Sequence, residues 1–313
     1  MKILITGASG FIGRALAEKL SADKYSLVFI SRNAERTKQK LSLKGDYFSW
    51  SYKEKDFPVK ALEGVDTVIH LMGESIASGR WSKKRKEEIY NSRIISTRKL
   101  IGALPSSVKS FFCASATGIY ASSLSEKYTE NAIIKIDGGF LQKTCLDWEA
   151  EAEKAKISAR RVIKFRTGIV LGQNGFLKKL LPLFQFALGG PIAGGKAFMS
   201  FIHIEDLVSA IEFCVKNKKI NSAVNLVSEN PVSNKEFTKS LAQTVKRPAF
   251  FNVPAFMLKT LLGEMSELVL SSQYVLPEKL LNNNFQFHYK NIKDALADCV
   301  MQKNDKAATE DAG

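Results

Sequence analysis

The sequence predicts an α/β protein built on a doubly wound parallel sheet, with a smaller α/β lobe toward the C-terminus. Short and almost wholly apolar runs alternate with segments of helical periodicity, as expected for buried parallel strands joined by helices. A glycine-rich turn separates the first strand-like run from the first helical segment. The composition changes after Gly172, where we expect a second unit to begin.

Each element follows from the spacing of apolar side chains. Residues 1–7 form a strand-like run that ends at Gly7, and residues 11–20 repeat apolar side chains at helical spacing. Further strands are predicted at 26–30, 65–71, 109–115 and 161–171, and helices at 84–102 and 143–156. In the second half of the chain, the same spacing predicts helices at 176–188 and 202–217 and a strand at 223–227. A helix-capping box is predicted from Ser233 to Glu236.

The chain is strongly basic. It has 313 residues, and 46 Lys and Arg against 31 Asp and Glu give a formal charge of +15. The densest basic run, Lys83–Lys86, continues into Glu87 and Glu88 on a predicted helix. We interpret this run as a solvated helix face; the alternative is a site for a nucleic-acid backbone. No apolar stretch approaches the roughly 18–20 residues that span a bilayer. We therefore expect a cytoplasmic protein without a specific nucleic-acid or membrane partner, and the oligomeric state stays open.

The strongest local signal is a GxxGxxG pattern from Gly7 to Gly13, which follows the first strand and opens the first helix. Small residues are needed there because the backbone turns tightly, approaches a pyrophosphate and lets the helix pack on the strand. Unpaired N–H groups at the helix N-terminus then face the phosphates. The pattern predicts a Rossmann-like dinucleotide site; the alternative is a purely structural turn.

The residues after the second strand predict which dinucleotide is bound. Sites for NAD usually place a carboxylate there to hold the ribose 2′-hydroxyl. This chain instead has Ser31 and Arg32, with Arg36 nearby, and these donors suit a 2′-phosphate. We therefore expect NADP(H) as the cofactor, unless Arg32 is only a surface residue.

Longer stretches give the chain a resemblance to a known family. The glycine turn, LMGE at 71–74 and FIHIED at 201–206 resemble the extended short-chain dehydrogenase/reductases, which include the nucleoside-diphosphate-sugar epimerases. Other stretches resemble an atypical subgroup, the NAD(P)-dependent "epimerase family proteins": GRWS at 79–82, NSR at 91–93, DWE at 147–149, RTGIVLG at 166–172, LGGP at 188–191, NPVSN at 230–234 and QYVLP at 273–277. The resemblance runs from residue 1 to about residue 300.

The glycine turn and this resemblance together imply cofactor contacts at specific positions. They are Gly7, Gly10, Phe11, Ile12 and Gly13 in the turn, Ser31 and Arg32 after the second strand, Leu71, Met72 and Gly73 after the third, Glu88 and Arg93 on the next helix, and Val170. Packing explains Val170 equally well. The positions agree with the rule that open α/β sheets bind ligands at the carboxyl ends of their strands.

The chain departs from the superfamily at the catalytic dyad that the resemblance implies. Active members use a Tyr-x-x-x-Lys pair, in which the lysine lowers the pKa of the tyrosine. Alignment on Glu149 puts Leu141 at the tyrosine position and Cys145 at the lysine position, and neither exchanges a proton in that way. Lys143 lies too early in the helix to replace the lysine.

Other side chains are candidates for the chemistry. Ser115 and Thr117 lie where relatives carry a substrate-polarising hydroxyl, and Tyr120 follows on the same turn. The alternative for Tyr120 is a half-buried ring with a satisfied hydroxyl. His203 is a candidate base or a hydrogen-bonded structural histidine, and Glu74 is a polar side chain near the cofactor or a solvated loop carboxylate.

No metal site is predicted from the sequence. The four cysteines lie far apart without a CxxC pair, which also fits a reducing compartment. His70 and His288 share no ligand spacing with each other or with carboxylates. The chain lacks the GxSxG pattern of serine hydrolases and the GxxxxGK[ST] pattern of P-loop nucleotidases.

Two functions stay open at this point. The first is an NADP(H)-dependent oxidoreductase or epimerase-like enzyme that acts on a small carbonyl or carbinol substrate with a non-standard proton donor. The second is a catalytically silent NADP(H)-binding sensor or interaction protein. The expected domains are an NADP-binding domain of residues 1–172 with about 205–232, a substrate lobe of 173–204 and 233–300 closing a cleft, and a flexible tail of 301–313.

Overall fold

The computed structural model describes residues 1–310, with side chains described for residues 1–301. Two compact units divide the chain. The first comprises residues 1–119, 136–166 and 208–224, and the second comprises residues 120–135, 167–207 and those from 225 onward. The expected tail begins within the last helix, which runs to Glu310, and residues 311–313 lie outside the described part.

Strands and helices alternate along the described chain. The strands are β1 (Lys2–Thr6), β2 (Ser26–Ser31), β3 (Asp46–Ser49), β4 (Thr67–His70), β5 (Ser110–Ala116), β6 (Lys127–Tyr128), β7 (Arg161–Thr167), β8 (Ile169–Leu171), β9 (Phe198–Met199), β10 (Phe201–His203), β11 (Ser222–Leu226), β12 (Val232–Ser233) and β13 (Tyr274–Val275). The helices are α1 (Phe11–Ala22), α2 (Ala34–Leu41), α3 (Lys83–Gly102), α4 (Phe140–Glu153), α5 (Phe176–Gln185), α6 (Ile204–Lys216), α7 (Asn234–Thr244), α8 (Ala255–Leu262), α9 (Glu267–Leu270), α10 (Glu278–Asn282) and α11 (Ile292–Glu310).

The first unit is built on a seven-stranded sheet with the order β11-β7-β5-β4-β1-β2-β3. β1 pairs in parallel with β2 and β4, β2 with β3, and β4 with β5. The chain leaves β1 toward β2 and β3 and then returns to build β4 and β5 on the other side. The predicted doubly wound parallel class is confirmed, and the carboxyl ends of β1 and β4 flank the point where the order reverses.

The central strands are buried along nearly their whole length because helices cover both faces of the sheet. Leu4, Val28 and Val68 lie in one buried cluster together with Trp50 and Trp148. Ile3 and Ile5 are out of phase with Leu4 and are equally buried, so they face the opposite side of the sheet. This alternation explains why the strands appear in the sequence as continuous apolar runs.

The structure differs from the sequence prediction at several elements: the short strands β6, β9, β12 and β13 were not predicted, and β10 occupies the start of the helix predicted at 202–217. α2 and β3 were not predicted, since α2 buries only Thr37 and Leu41 and β3 has no fully buried residue. The predicted strand at 161–171 is two strands, with Gly168 between them. A Cβ on Gly168 would lie 2.3 Å from the Ser200 carbonyl oxygen, so this close approach of two backbones requires glycine.

The second unit contains three two-stranded pairs, β8 with β10, β9 with β12, and β6 with β13. Its core gathers apolar side chains of α5, α7, β10 and α11, including Leu181, Phe201, Phe237 and Leu296. The predicted cap of α7 is confirmed, because the Ser233 hydroxyl accepts the Glu236 backbone N–H at 3.1 Å. No helix among the described residues is long and apolar enough to cross a membrane.

Candidate functional site

The turn between β1 and α1 has the geometry of an anion-binding loop. Gly7 has φ of 72° and donates its N–H to the Ile30 carbonyl at 3.0 Å. A Cβ on Gly13 would lie 2.2 Å from the Gly7 carbonyl oxygen, so no larger residue fits without backbone movement. α1 has no acidic residue in its first turn, and no described side chain caps it. Its first N–H groups are therefore available to a phosphate.

The loop after β4 lies directly against this turn. A Cβ on Gly7 would lie 3.0 Å from the Leu71 carbonyl oxygen, and the Leu71 N–H donates to the Thr6 hydroxyl at 3.2 Å. Gly73 lies close to Arg93, since a Cβ there would meet the guanidinium carbon at 3.1 Å. The structure thus brings together two predicted segments, the glycine turn and residues 71–73.

His70 fixes the ends of β1 and β4 relative to α3. Its Nδ1 lies 2.7 Å from the Thr6 hydroxyl, and its Nε2 lies 3.1 Å from the Ser96 hydroxyl. Ser96 donates onward to the Ser92 carbonyl at 2.6 Å, so Nε2 carries the proton and Thr6 donates to Nδ1. Burial lowers the pKa of His70 to about 3, and the ring is therefore neutral. His70 has a structural role beneath the loop.

Arg93 extends from α3 to the loop after β4. Its guanidinium donates to the carbonyls of Glu74 at 3.0 Å and Ile89 at 2.9 Å, and it lies over the Trp148 ring. Burial lowers the pKa of Arg93 to about 10, so the group stays charged at neutral pH. Because these acceptors are neutral, the positive charge remains able to attract an anionic ligand.

Glu74 lies between two arginines at the edge of the site. Its carboxylate is 3.0 Å from Arg32 and 3.5 Å from Arg85, and Arg85 also pairs with Glu88 at 2.9 Å. The Arg32 side chain is 78% exposed. An exposed ion pair of this kind contributes little to stability, so Arg32 is able to exchange Glu74 for another anion.

Ser31 does not have the free hydroxyl that the sequence interpretation gave it. It is buried, donates its only O–H to the Asn33 carbonyl at 3.0 Å and accepts from Thr37 at 2.8 Å. Asn33 in turn caps α2 by accepting the Arg36 N–H at 2.8 Å. A hydroxyl has one proton, so Ser31 holds the turn and the guanidinium groups of Arg32 and Arg36 are the donors left for a phosphate.

A buried polar network lies at the carboxyl end of β5. The Ser115 hydroxyl donates to Glu149 Oε1 at 2.8 Å. Arg166 binds the same carboxylate in two places, with Nε 2.8 Å from Oε1 and Nη2 2.9 Å from Oε2. Sequence reasoning missed Glu149 as a functional residue. The sequence does contain a signal for it. The DWE stretch contains the carboxylate of Glu149, and the RTGIVLG stretch contains its partner Arg166.

The two dyad positions face this end of β5. A Cβ on Gly118 would lie 3.7 Å from Leu141 and 3.9 Å from the Cys145 sulfur. Burial raises the pKa of the Cys145 thiol to about 12, so it is a neutral group. The Lys143 side chain is 70% exposed and pairs with Asp147 at 2.9 Å. Its ammonium group therefore does not replace the lysine of the dyad.

The remaining predicted catalytic residues lie in different surroundings. Thr117 is buried in the short 3-10 turn Thr117–Ile119 of the first unit. Tyr120 belongs to the second unit, is only 1% exposed and stacks on Tyr128. Its phenol lies 2.8 Å from Asn225 Oδ1 and 3.1 Å from the Thr129 carbonyl, and these acceptors use its single proton. This geometry corrects the catalytic interpretation of Tyr120 in favour of a structural one.

Two further predicted residues, Val170 and His203, lie in the second unit. Val170 is half-buried in β8 and pairs with Ile202 of β10. The Nε2 of His203 is 3.1 Å from Asp298, and with Cys299 these residues group three potential metal ligands within 4.8 Å. The sequence analysis did not foresee this group. However, a metal-bound histidine usually donates from its other nitrogen, whereas His203 Nδ1 accepts the Glu205 N–H at 3.3 Å. The geometry therefore favours a close polar contact between His203 and Asp298 over a metal site.

Comparisons with known proteins agree with this architecture. The model of the NAD dependent epimerase/dehydratase family matches residues 3–226, and that of a domain of unknown function, DUF1731, matches residues 253–299. The Bacillus subtilis epimerase family protein YfhF is 35% identical and covers 97% of this chain and 99% of its own. The Arabidopsis thaliana chloroplastic epimerase family protein SDR39U1 homolog is also 35% identical and covers 96% of this chain and 87% of its own.

The fold comparison gives the same result. The human epimerase family protein SDR39U1, whose crystal structure holds NADPH, is 26% identical and superposes with a TM-score of 0.84. That match covers 96% of this chain and 99% of the human chain. The chain therefore belongs to the NAD-dependent epimerase/dehydratase family, within the extended short-chain dehydrogenase/reductases.

Proposed function

We propose that the first unit binds NADP(H). The observation that supports the specificity is Arg32, which stands after β2 where NAD sites usually place a carboxylate. Its exposed side chain pairs with Glu74. In this account the pyrophosphate lies on the N-terminus of α1, and the 2′-phosphate lies between Arg32 and Arg36. Human SDR39U1 was solved with NADPH, which supports the same preference here.

The other predicted contacts complete the proposed site. The turn from Gly7 to Gly13, with Phe11 and Ile12 at the start of α1, surrounds the pyrophosphate. Leu71, Met72 and Gly73 lie beside the adenosine and its ribose, with the positive charge of Arg93 behind the loop. In this account Glu88 orients Arg85 at the rim of the site.

We propose an oxidoreductase or epimerase-like reaction on a small carbonyl or carbinol substrate. Bound NADP(H) supplies or accepts the hydride. Ser115 and Glu149 take the place of the Tyr-x-x-x-Lys pair, because the Ser115 hydroxyl already donates to the Glu149 carboxylate. When a carbinol is oxidised, its O–H proton passes to Ser115 Oγ as the Ser115 proton passes to Glu149. Reduction of a carbonyl runs in the opposite direction.

Arg166 has a positioning role in this proposal. Its two hydrogen bonds fix the plane of the Glu149 carboxylate and so direct one oxygen at Ser115. Thr117 follows on the same turn and is a second hydroxyl for orienting the substrate. Leu141 and Cys145 line the space beside them without a transferable proton at neutral pH.

The test is the rate of NADPH oxidation with a panel of small aldehydes and ketones. Glu149→Gln keeps an acceptor for Ser115 but takes no proton, so we expect the rate to fall by about 10²–10⁴ with an unchanged Kd for NADPH. Asp147→Asn is the matched control, because Asp147 lies on the same helix and pairs with Lys143. Full activity in Glu149→Gln would refute the relay.

The second candidate function is a catalytically silent NADP(H)-binding sensor. Leu141 and Cys145 at the dyad positions favour it, because a cofactor site without an acid–base pair is what such a protein would retain. The same panel separates the two functions. Tight NADPH binding without oxidation by any member of a broad panel would favour the sensor, and turnover of one member would favour the enzyme.

A further inference from the structure

The second unit has an exposed surface that is both apolar and basic. We define it as residues 176–191 and 237–263 and name it the aromatic-basic surface. Of the sixteen large apolar side chains exposed in the described part of the chain, eight lie in these two segments: Leu183, Phe186, Leu188, Phe250, Phe251, Phe256, Met257 and Leu261. The four exposed phenylalanines of that part of the chain are all among them. Isolated exposed apolar residues are normal, but such a concentration marks an interaction site.

The two segments lie side by side. Arg247 donates to the Gln185 carbonyl at 3.2 Å. A Cβ on Gly190 would lie 1.7 Å from the Phe251 carbonyl oxygen, so the two backbones touch there. The Val253 N–H donates to the Pro191 carbonyl at 2.8 Å. These contacts bring the end of α5 and the segment before α8 into one continuous surface.

Helix α8 is the clearest sign that this surface has a partner. Its sequence, AFMLKTLL, is apolar on nearly every side, and none of its eight residues is buried. Phe256 is 70% exposed and Leu261 is 66% exposed. A helix that is apolar all round is normally enclosed by protein or lipid. Water alone is a poor environment for it.

The charge of the same surface indicates what the partner is. The two segments contain Lys178, Lys179, Lys239, Lys246, Arg247 and Lys259 and no Asp or Glu. Lys235, Lys239, Lys246 and Arg247 also line a groove beside Phe250. Glu236 and Glu264 border the two segments, but the surface itself suits a partner that combines negative charge with an apolar interior. A second copy of this chain docked face to face would place like charges against each other, which disfavours it.

We propose that the aromatic-basic surface docks on an anionic lipid bilayer. Phe250, Phe251 and Phe256 would enter the boundary between headgroups and acyl chains, while the basic side chains contact lipid phosphates. Such binding is peripheral and needs no spanning helix. The sequence expectation of no membrane partner considered a spanning stretch and the spread of basic residues along the chain, and neither shows which exposed side chains lie together on the surface.

Flotation of the full chain with lipid vesicles tests the proposal. Wild type floats with vesicles that contain phosphatidylglycerol and stays in solution with phosphatidylcholine alone. Phe251→Ser with Phe256→Ser lowers the bound fraction on anionic vesicles by about tenfold or more. Ile133→Ser with Ile157→Ser is the matched control, because these side chains are 87% and 90% exposed and lie outside the surface. A cooperative thermal unfolding transition confirms that every variant is folded.

Charge substitutions complete the test. Lys246→Glu with Arg247→Glu abolishes flotation, whereas Lys83→Glu with Lys84→Glu, at exposed positions of α3, leaves it unchanged. Binding that survives the phenylalanine substitutions and disappears in every charge variant would overturn the proposal in favour of non-specific electrostatics. A different result would make the occupant a second copy of this chain. In that case wild type does not bind vesicles, sedimentation shows a dimer, and the phenylalanine substitutions dissociate it.

Discussion

Single residues in the cofactor region owe their roles to their hydrogen-bond partners as much as to their positions. Arg32 was predicted from its place after β2, and the structure leaves it exposed beside Glu74. Ser31 was predicted from the same rule, yet its proton belongs to the Asn33 carbonyl. A position in a motif indicates which side chains approach a ligand. It does not show which donors are already used within the chain.

His70 gives a prediction for the pH dependence of stability. Its pKa in the folded protein is about 3, below the ordinary 6.5, because it is buried. Between these values the unfolded chain binds a proton that the folded chain does not, so stability is complete above pH 6.5 and is lost as the pH falls. His70→Asn should reduce the slope of the unfolding free energy between pH 4 and 6 by up to about 1.4 kcal/mol per pH unit.

Denaturant unfolding at a series of pH values measures this slope. His288→Asn, at an exposed position, is the matched control for loss of an imidazole. The comparison of slopes stays valid even if His70→Asn lowers stability at every pH through its contacts with Thr6 and Ser96. An unchanged slope in His70→Asn would show that the buried ring takes up its proton in the folded state.

At the scale of elements, the strongly periodic segments were predictable and the weakly periodic ones were not. β1, α1, β2, β4, α3 and β5 each bury a continuous stripe or run of apolar residues. α2 and β3 bury too little for a pattern to appear. The break between β7 and β8 depends on Gly168 meeting the Ser200 backbone. That contact is between residues distant in sequence, so no local pattern contains it.

The glycine turn gives a prediction at this scale. Gly13→Ala places a Cβ 2.2 Å from the Gly7 carbonyl oxygen, so the contact between α1 and β1 must open. We expect the unfolding free energy to fall by about 1–3 kcal/mol, together with weaker dinucleotide binding. Thermal and denaturant unfolding, with and without NADPH, measure both effects.

Gly102→Ala is the control for this substitution. Gly102 is the last residue of α3, and a Cβ there would meet nothing within 4 Å outside its chain neighbours and the backbone of its own helix. Alanine should therefore leave stability unchanged or raise it by up to about 1 kcal/mol. Equal effects of Gly13→Ala and Gly102→Ala would contradict the assignment of a tight helix–strand contact at the turn.

At the scale of the whole molecule, the family and the parallel sheet were predictable because many motifs agree along the chain. The proposed chemistry was less predictable from the sequence. Glu149, Ser115 and Arg166 come from three separate segments, and only the fold joins them into one network. The net charge of +15 was evident from the composition, but the aromatic-basic surface emerges only when charge is combined with exposure.

The proposed binding of NADP(H) depends on Arg32. Fluorescence titration of NADPH and NADH on wild type, Arg32→Ala and the exposed control Arg160→Ala tests it most directly. We predict a strong preference for NADPH in wild type and in Arg160→Ala. In Arg32→Ala the loss of one charged partner of the 2′-phosphate, about 1.5–3 kcal/mol, should raise the Kd for NADPH more than tenfold and leave NADH unchanged. Equal binding of both nucleotides by wild type would contradict the role of Arg32, and binding of neither would contradict the cofactor site itself.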